Sequence, residues 1–191
     1  MSRLEDIEKS IRRYTNDIVT MKVFNRTLNR ELLFVFTSGS SNRVLVYDQF
    51  KGLDNVAEIN FSARSGKVFI TSFVVKMDYQ QNGIGKFLLD FALTLGDCLG
   101  SEYAYLYANP TDPIKGVSDK GFNYQKEKEV LNTIYERLGF KENLDYKSYL
   151  DERLFEQRWL QGEKLKNADK SINDFVKLAV VKLEEKKEKN K

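Results

Sequence analysis

The 191-residue chain has no histidine, one cysteine and two prolines. Without imidazole there is no Ser-His-Asp or Cys-His relay, no histidine-ligated metal and no histidine acid–base chemistry. A lone Cys98 allows neither an internal disulfide nor a multi-cysteine zinc or iron–sulfur site, so no bound metal is expected. No apolar run reaches the roughly 18 residues that a membrane span needs, and no signal-peptide pattern opens the chain. The sequence therefore reads as a soluble cytoplasmic protein without a membrane partner. Its chemistry has to come from carboxylates, hydroxyls, phenols, amines and backbone groups.

What is present builds a core. Hydrophobic residues make up 41% of the chain, and 13 Phe, 10 Tyr and one Trp contribute to it. The length suits one domain, or a domain with an appendage. The net charge of +3 is unevenly placed: residues from Glu163 onward carry nine lysines and six acids, and the remainder is balanced. That tail is mixed in sign and lacks arginine, so a nucleic-acid partner is not expected.

Ser2 and Glu5 form a capping-box pattern, and Leu4, Ile7, Ile11 and Tyr14 fall at helical spacing. Five strand-like segments follow: Val19–Phe24, Leu32–Thr37, Arg43–Tyr47, Val56–Phe61 and Lys67–Val75. The last two flank Ala63–Gly66 as an antiparallel hairpin. A turn over Lys76–Asn82 leads into a helix from Gly83 to Leu99, with Ile84, Leu88, Phe91, Ala92 and Leu95 on one face. A strand over Glu102–Ala108 comes next, then a long loop to Gln125 containing both prolines. A helix over Glu127–Leu138 stops at Gly139, and a further strand is expected at Tyr146–Leu150. The remainder reads as helical, around Glu152–Lys166 and Ser171–Glu188.

Chemistry is concentrated in Phe73–Lys86, F-V-V-K-M-D-Y-Q-Q-N-G-I-G-K. A strand, a turn with two glycines and an immediate helix aim backbone N–H groups into one space at the positive end of the helix. This suits an anion, most naturally a pyrophosphate. Glycine at 83 and 85 keeps side chains from standing between the phosphates and the amides. A dinucleotide fingerprint would need a third glycine where Leu88 stands. A P-loop would need Ser or Thr where Phe87 stands and glycine where Gln80 stands.

Gln80-Gln81-Asn82-Gly83-Ile84-Gly85 resembles the Gln/Arg-x-x-Gly-x-Gly/Ala signature of the GNAT superfamily, the acetyl-CoA-dependent N-acetyltransferases. Tyr135-Glu136-Arg137-Leu138-Gly139-Phe140 is similar to the Tyr-x-x-x-Gly-Phe ending of that family's later helix. The resemblance covers roughly residues 55–150. It implies an α/β fold, with a mixed, mostly antiparallel sheet flanked by helices. Residues 1–150 would be the acetyltransferase domain and 151–191 a helical C-terminal extension, through which a homodimer is a reasonable expectation.

The resemblance also implies roles. Backbone amides of Gln81, Asn82, Gly83, Ile84, Gly85 and Lys86 would hold the CoA pyrophosphate, in a turn that Gln80 opens. Phe73 and Val75 would pair with the pantetheine arm as an added strand. The Phe73 N–H would stabilise the oxyanion, and Tyr135 would protonate the leaving thiolate. Acetyl-CoA would be the co-substrate and a small-molecule or protein amine the acceptor. Three positions depart from the family pattern. Met77 stands at a frequent proline, Lys128 at a frequent asparagine (for which Asn132 or Asn123 could substitute), and Phe69 at the glutamate base of the histone-acetylating branch. The base is then Glu58, a residue of the Asn109–Gln125 loop, or water. The alternative function is a non-catalytic CoA-binding or interaction protein that retains the fold.

Overall fold

A computed structural model describes residues 3–15, 17–64, 66–106, 110, 113–117, 121–138, 140–143 and 148–151. The capping residue Ser2, residues 107–109, Gly139, and the expected helices and dimer contact beyond 151 lie outside the described residues. So does the extension assigned to 151–191, apart from its first residue, Asp151.

The described elements run α1 (Arg3–Arg12), β1 (Ile18–Asn25), β2 (Arg30–Ser38), β3 (Asn42–Tyr47), β4 (Ala57–Arg64) and β5 (Lys67–Val75). Then come a 3-10 turn (Met77–Tyr79), α2 (Ile84–Cys98), β6 (Tyr103–Leu106), α3 (Tyr124–Arg137), β7 (Lys141–Asn143) and β8 (Ser148–Asp151). The strands form one sheet in the order β1-β2-β3-β4-β5-β6-β8-β7. Every neighbouring pair is antiparallel except β5–β6, the pair joined by the crossover helix α2. That connection is long enough for a parallel pair, whereas the hairpins require antiparallel ones.

β2 is apolar without alternation from Leu32 to Phe36 because both its faces are covered. Leu32, Phe34 and Phe36 join Val44, Val46, Ile59 and Phe61 in a core against α2 and α3. Leu33 and Val35 pack with Tyr47 against Leu4 and Ile7 of α1 on the other side. The molecule thus has three layers, with α1 on one face of the sheet and α2 and α3 on the other.

One irregularity positions the site. Between β4 and β5 the register passes from Phe61↔Ile70 to Asn60↔Ser72, which leaves Thr71 as an extra residue on β5. Val68 and Ile70 before it and Phe73 and Val75 after it all reach the α2 side. The bulge therefore resets the inward phase of the strand. The described β5–β6 ladder ends at the same place, with Ile70↔Leu106 as its last pair.

Three sequence expectations shift. α3 begins at Tyr124 rather than Glu127, because the Asn123 side chain accepts a hydrogen bond from the Lys126 amide at 3.1 Å and caps the helix there. Tyr14 lies past the end of α1 and is exposed, since the chain leaves the helix before a fourth apolar position can turn inward. β7 is an unexpected strand; the three polar residues Lys-Glu-Asn carry no apolar pattern, and pairing with β8 makes them extended.

Candidate active site

The end of β5 leads directly into the glycine turn. Beyond Ile70, the Thr71–Val75 stretch has no described partner on its β6 side, while Ser72–Val75 remain paired with β4 on the other. Gln81 has φ 62° and Gly83 φ 78°, two left-handed residues that turn consecutive amides toward one side. The N-cap of α2 is Gly83, which has no side chain to cap the helix, and its first turn holds no acid. The amides of Ile84, Gly85 and Lys86 have no acceptor within the helix. The first carbonyl of the turn, that of Gly83, is taken by Phe87 N–H at 3.0 Å. The result is a positive, donor-rich end of a 15-residue helix beside the end of β5.

The two glycines serve different ends locally. At Gly83 a Cβ would meet nothing within 4 Å, so the left-handed backbone is what calls for glycine. At Gly85 a Cβ would stand 3.4 Å from Phe73 Cζ and Val75 Cγ2, where α2 closes on the site end of β5. The Ile84 side chain is buried in the core, which leaves only its backbone toward the turn. Lys86 is exposed, and its Nζ pairs with Asp90 Oδ2 at 2.7 Å.

The Gln80 side chain works as a brace. Its Nε2 donates to the carbonyls of Val75 and Pro113, both at 2.9 Å, and its Oε1 accepts from Lys115 N–H at 2.7 Å. On the far side of the same segment, Ile114 N–H donates to Oε2 of the fully buried Glu127 at 3.2 Å. The strand end, the 113–115 segment and α3 are tied together this way. Asn82 is held through its carbonyl, which accepts from Asn25 Nδ2 at 2.8 Å.

Tyr135 is buried on α3, its ring 6.5 Å from that of Phe73 and 5.8 Å from that of Phe140. Burial pushes its phenol above the ordinary value, so it stays protonated through the neutral range. The fold therefore brings Phe73, Val75, Gly85 and Tyr135 to one place. Of the candidate bases, Glu58 is engaged, and the loop carboxylates Asp112 and Asp119 lie outside the described residues. Glu58, directly across from Val74, receives Arg43 Nη2 at 2.8 Å and Asn60 Nδ2 at 3.4 Å. Phe69 stacks on Tyr105 at 4.5 Å as a cross-strand pair. Of the asparagines that could stand in for the one replaced by Lys128, Asn123 caps α3 and Asn132 Oδ1 is buried with no hydrogen-bond partner among the described residues.

No family model matches this sequence, and no curated protein matches it. Solved structures do. A cAMP-binding acyltransferase from Mycobacterium smegmatis superposes with a TM-score of 0.53 at 13% identity, over 92% of this chain and 60% of that one. An acetyltransferase of the GNAT family from Staphylococcus aureus gives 0.42 at 16% identity, over 58% of this chain and 66% of that one. The PaiA N-acetyltransferase of Thermoplasma acidophilum, in complex with coenzyme A, gives 0.41 at 17% identity, over 56% and 57%. The chain shares its fold with the mycobacterial acyltransferase. It spans about 60% of the length of the mycobacterial protein.

Within this fold, three contributors to the site carry no motif. Asn25 and Tyr79 reach the glycine turn from below, and Glu127 braces the neighbouring segment. Glu127 offered one signal, a carboxylate four and eight residues before Leu131 and Tyr135 on the same helical stripe. For Asn25 there was none, because its partner Asn82 is 57 residues away.

Proposed function

We propose that the protein transfers an acyl group, acetyl in the simplest case, from its CoA thioester to an amine. One observation carries the reading: the end of β5, a helix N-terminus entered through a left-handed glycine, and a buried phenol meet at Phe73. The fold, shared with an acyltransferase, supports it. Amides of Gln81–Lys86 take the donor pyrophosphate, and the Phe73–Val75 backbone pairs with the pantetheine arm.

The neutral amine attacks the thioester carbon, forming the N–C bond, and the carbonyl oxygen becomes an oxyanion held by the Phe73 N–H. Collapse breaks the C–S bond, and the thiolate takes the Tyr135 proton. With Glu58 ion-paired and Phe69 stacked on Tyr105, the proton lost by nitrogen passes to water and the phenol is reprotonated from solvent. The acceptor must then arrive as the free base, so turnover rises with pH toward the acceptor's own pKa.

Calorimetric titration with CoA, followed by thiol release across a panel of polyamines, amino acids, aminoglycosides and peptide N-termini, tests the reading. Tyr135→Phe is expected to lower kcat about 100-fold while CoA affinity stays within about twofold. CoA binding without turnover on any amine would instead support a CoA-binding protein that keeps the fold. Absence of CoA binding would refute both.

A further inference from the structure

The donor-binding turn stands on a buried polar bridge. Tyr79, the last residue of the 3-10 turn before Gln80, is buried, and its Oη donates to Asp48 Oδ2 at 2.8 Å. Asp48, just past β3, is fully buried. Its Oδ2 also accepts from Arg30 Nε at 2.8 Å and pairs with Arg30 Nη2 at 2.6 Å, and its Oδ1 accepts from Phe50 N–H at 3.1 Å. Arg30, partly exposed at the start of β2, lays its guanidinium 5.0 Å over the Phe50 ring. The carboxylate thus has its charge met by Arg30, and both its oxygens are occupied.

This bridge does not lie in the acyl-transfer centre. It reaches the turn from the β1–β2 hairpin, which touches it a second time through Asn25 Nδ2 on the Asn82 carbonyl. Asn25 is in turn held by accepting Leu28 N–H at 3.0 Å. Two side-chain contacts, at 79 and 82, therefore flank the left-handed residue Gln81. The Asn25 contact pulls the carbonyl of 82 toward the hairpin, and the amides that follow are left to face away from it. A buried ion pair adds little net stability by itself, because desolvation offsets the attraction. It does fix geometry at whatever it holds.

We infer that Asp48, with Arg30 and Tyr79, is a positioning element for the donor: it sets the glycine turn so that its amides converge on the CoA phosphates before CoA arrives. The inference rests on the acyl-CoA reading and adds residues outside the motif to it. Pre-set donors bind an anion without reorganising, so loosening the turn lowers affinity for the phosphate-bearing part of the ligand alone. The pantetheine arm, held by β5, is indifferent to it.

The test compares two probes on the full chain, CoA by calorimetry and pantetheine, which lacks the phosphates, by NMR titration. Tyr79→Phe removes one hydroxyl from the bridge, and Asn25→Ala removes the second contact without touching the ion pair. Each is expected to weaken CoA binding about tenfold, the scale of one lost hydrogen bond, and to leave pantetheine binding within twofold. Unchanged CoA affinity in Tyr79→Phe and Asn25→Ala would overturn the inference. Equal loss of CoA and pantetheine would overturn it as well, since it would mark a general structural role. Failure of the unmodified protein to bind CoA would refute the functional reading beneath it.

Discussion

Gly83 and Gly85 stand two positions apart in one motif, and their tolerance of a methyl group should differ. Alanine at 83 must hold φ near 78° with nothing pressing on it, which costs about 1–2 kcal/mol. That corresponds to a fall of several degrees in Tm for a chain of this size. Alanine at 85 meets Phe73 and Val75 at 3.4 Å, the near edge of ordinary contact. Gly85→Ala should therefore change stability by less than about 1 kcal/mol, whereas valine at 85 would push α2 off β5. Thermal melts of Gly83→Ala, Gly85→Ala and Gly85→Val check the order; equal losses for the two alanines would sink the distinction. The motif was legible as residues, but the reasons for its glycines were not. Sequence reasoning assigned both to phosphate access, and the backbone and the β5 side chains impose demands of their own. Gln80 is similar: its place in the motif is readable, its bracing of Pro113 and Lys115 is not, because those partners lie more than 30 residues away.

Among the elements, α2 and β5 approach most closely at Gly96, where an added Cβ would sit 2.0 Å from Val68 Cγ2. Val68 is completely buried and has no room to turn away. Gly96→Ala should lose about 2 kcal/mol net, the overpacking cost outweighing the roughly 1 kcal/mol that alanine gains in helix propensity. Urea denaturation would show this as a lower midpoint at unchanged slope; a stabilised variant would mean that the helix–sheet spacing is looser than described. The apolar face of α2 was plain from its spacing, since 3.6-residue periodicity records which side is buried. The bulge at Thr71 left a fainter trace. Inward residues fall at 68 and 70, then at 73 and 75, so the alternation slips by one between them. The start of α3 was misplaced by a turn, since a capping asparagine among polar residues is inconspicuous until its side chain is seen bonded to the Lys126 amide.

For the whole molecule, the buried phenols govern behaviour in alkali. Tyr47, Tyr79 and Tyr135 all have their pKa values raised, in each case chiefly by burial. Below about pH 10, the ordinary phenol value, both folded and unfolded states keep the protons and these groups contribute no pH dependence. Above it the unfolded chain ionises first, so stability falls as pH climbs toward the folded-state values. Denaturation midpoints should be level in this respect up to about pH 9.5 and then decline, with a shallower decline in Tyr135→Phe. The same slope in both proteins would remove Tyr135 from the account. No histidine is present to superimpose a transition near neutrality.

By itself the sequence determined the local order of strands and helices, the apolar faces, the absence of imidazole and thiol-cluster chemistry, and the glycine turn with its later tyrosine. All of these are written in residue type and short-range spacing. Only the tertiary structure decided that Phe73, Gly85 and Tyr135 share one place, and that β5 bulges at Thr71. It alone decided that Asp48 and Asn25 hold the turn from beneath. The physical reason is distance along the chain. Hydrogen bonds and ring contacts form between atoms a few ångströms apart, and these partners are separated by 12 to 62 residues, so no local pattern records them.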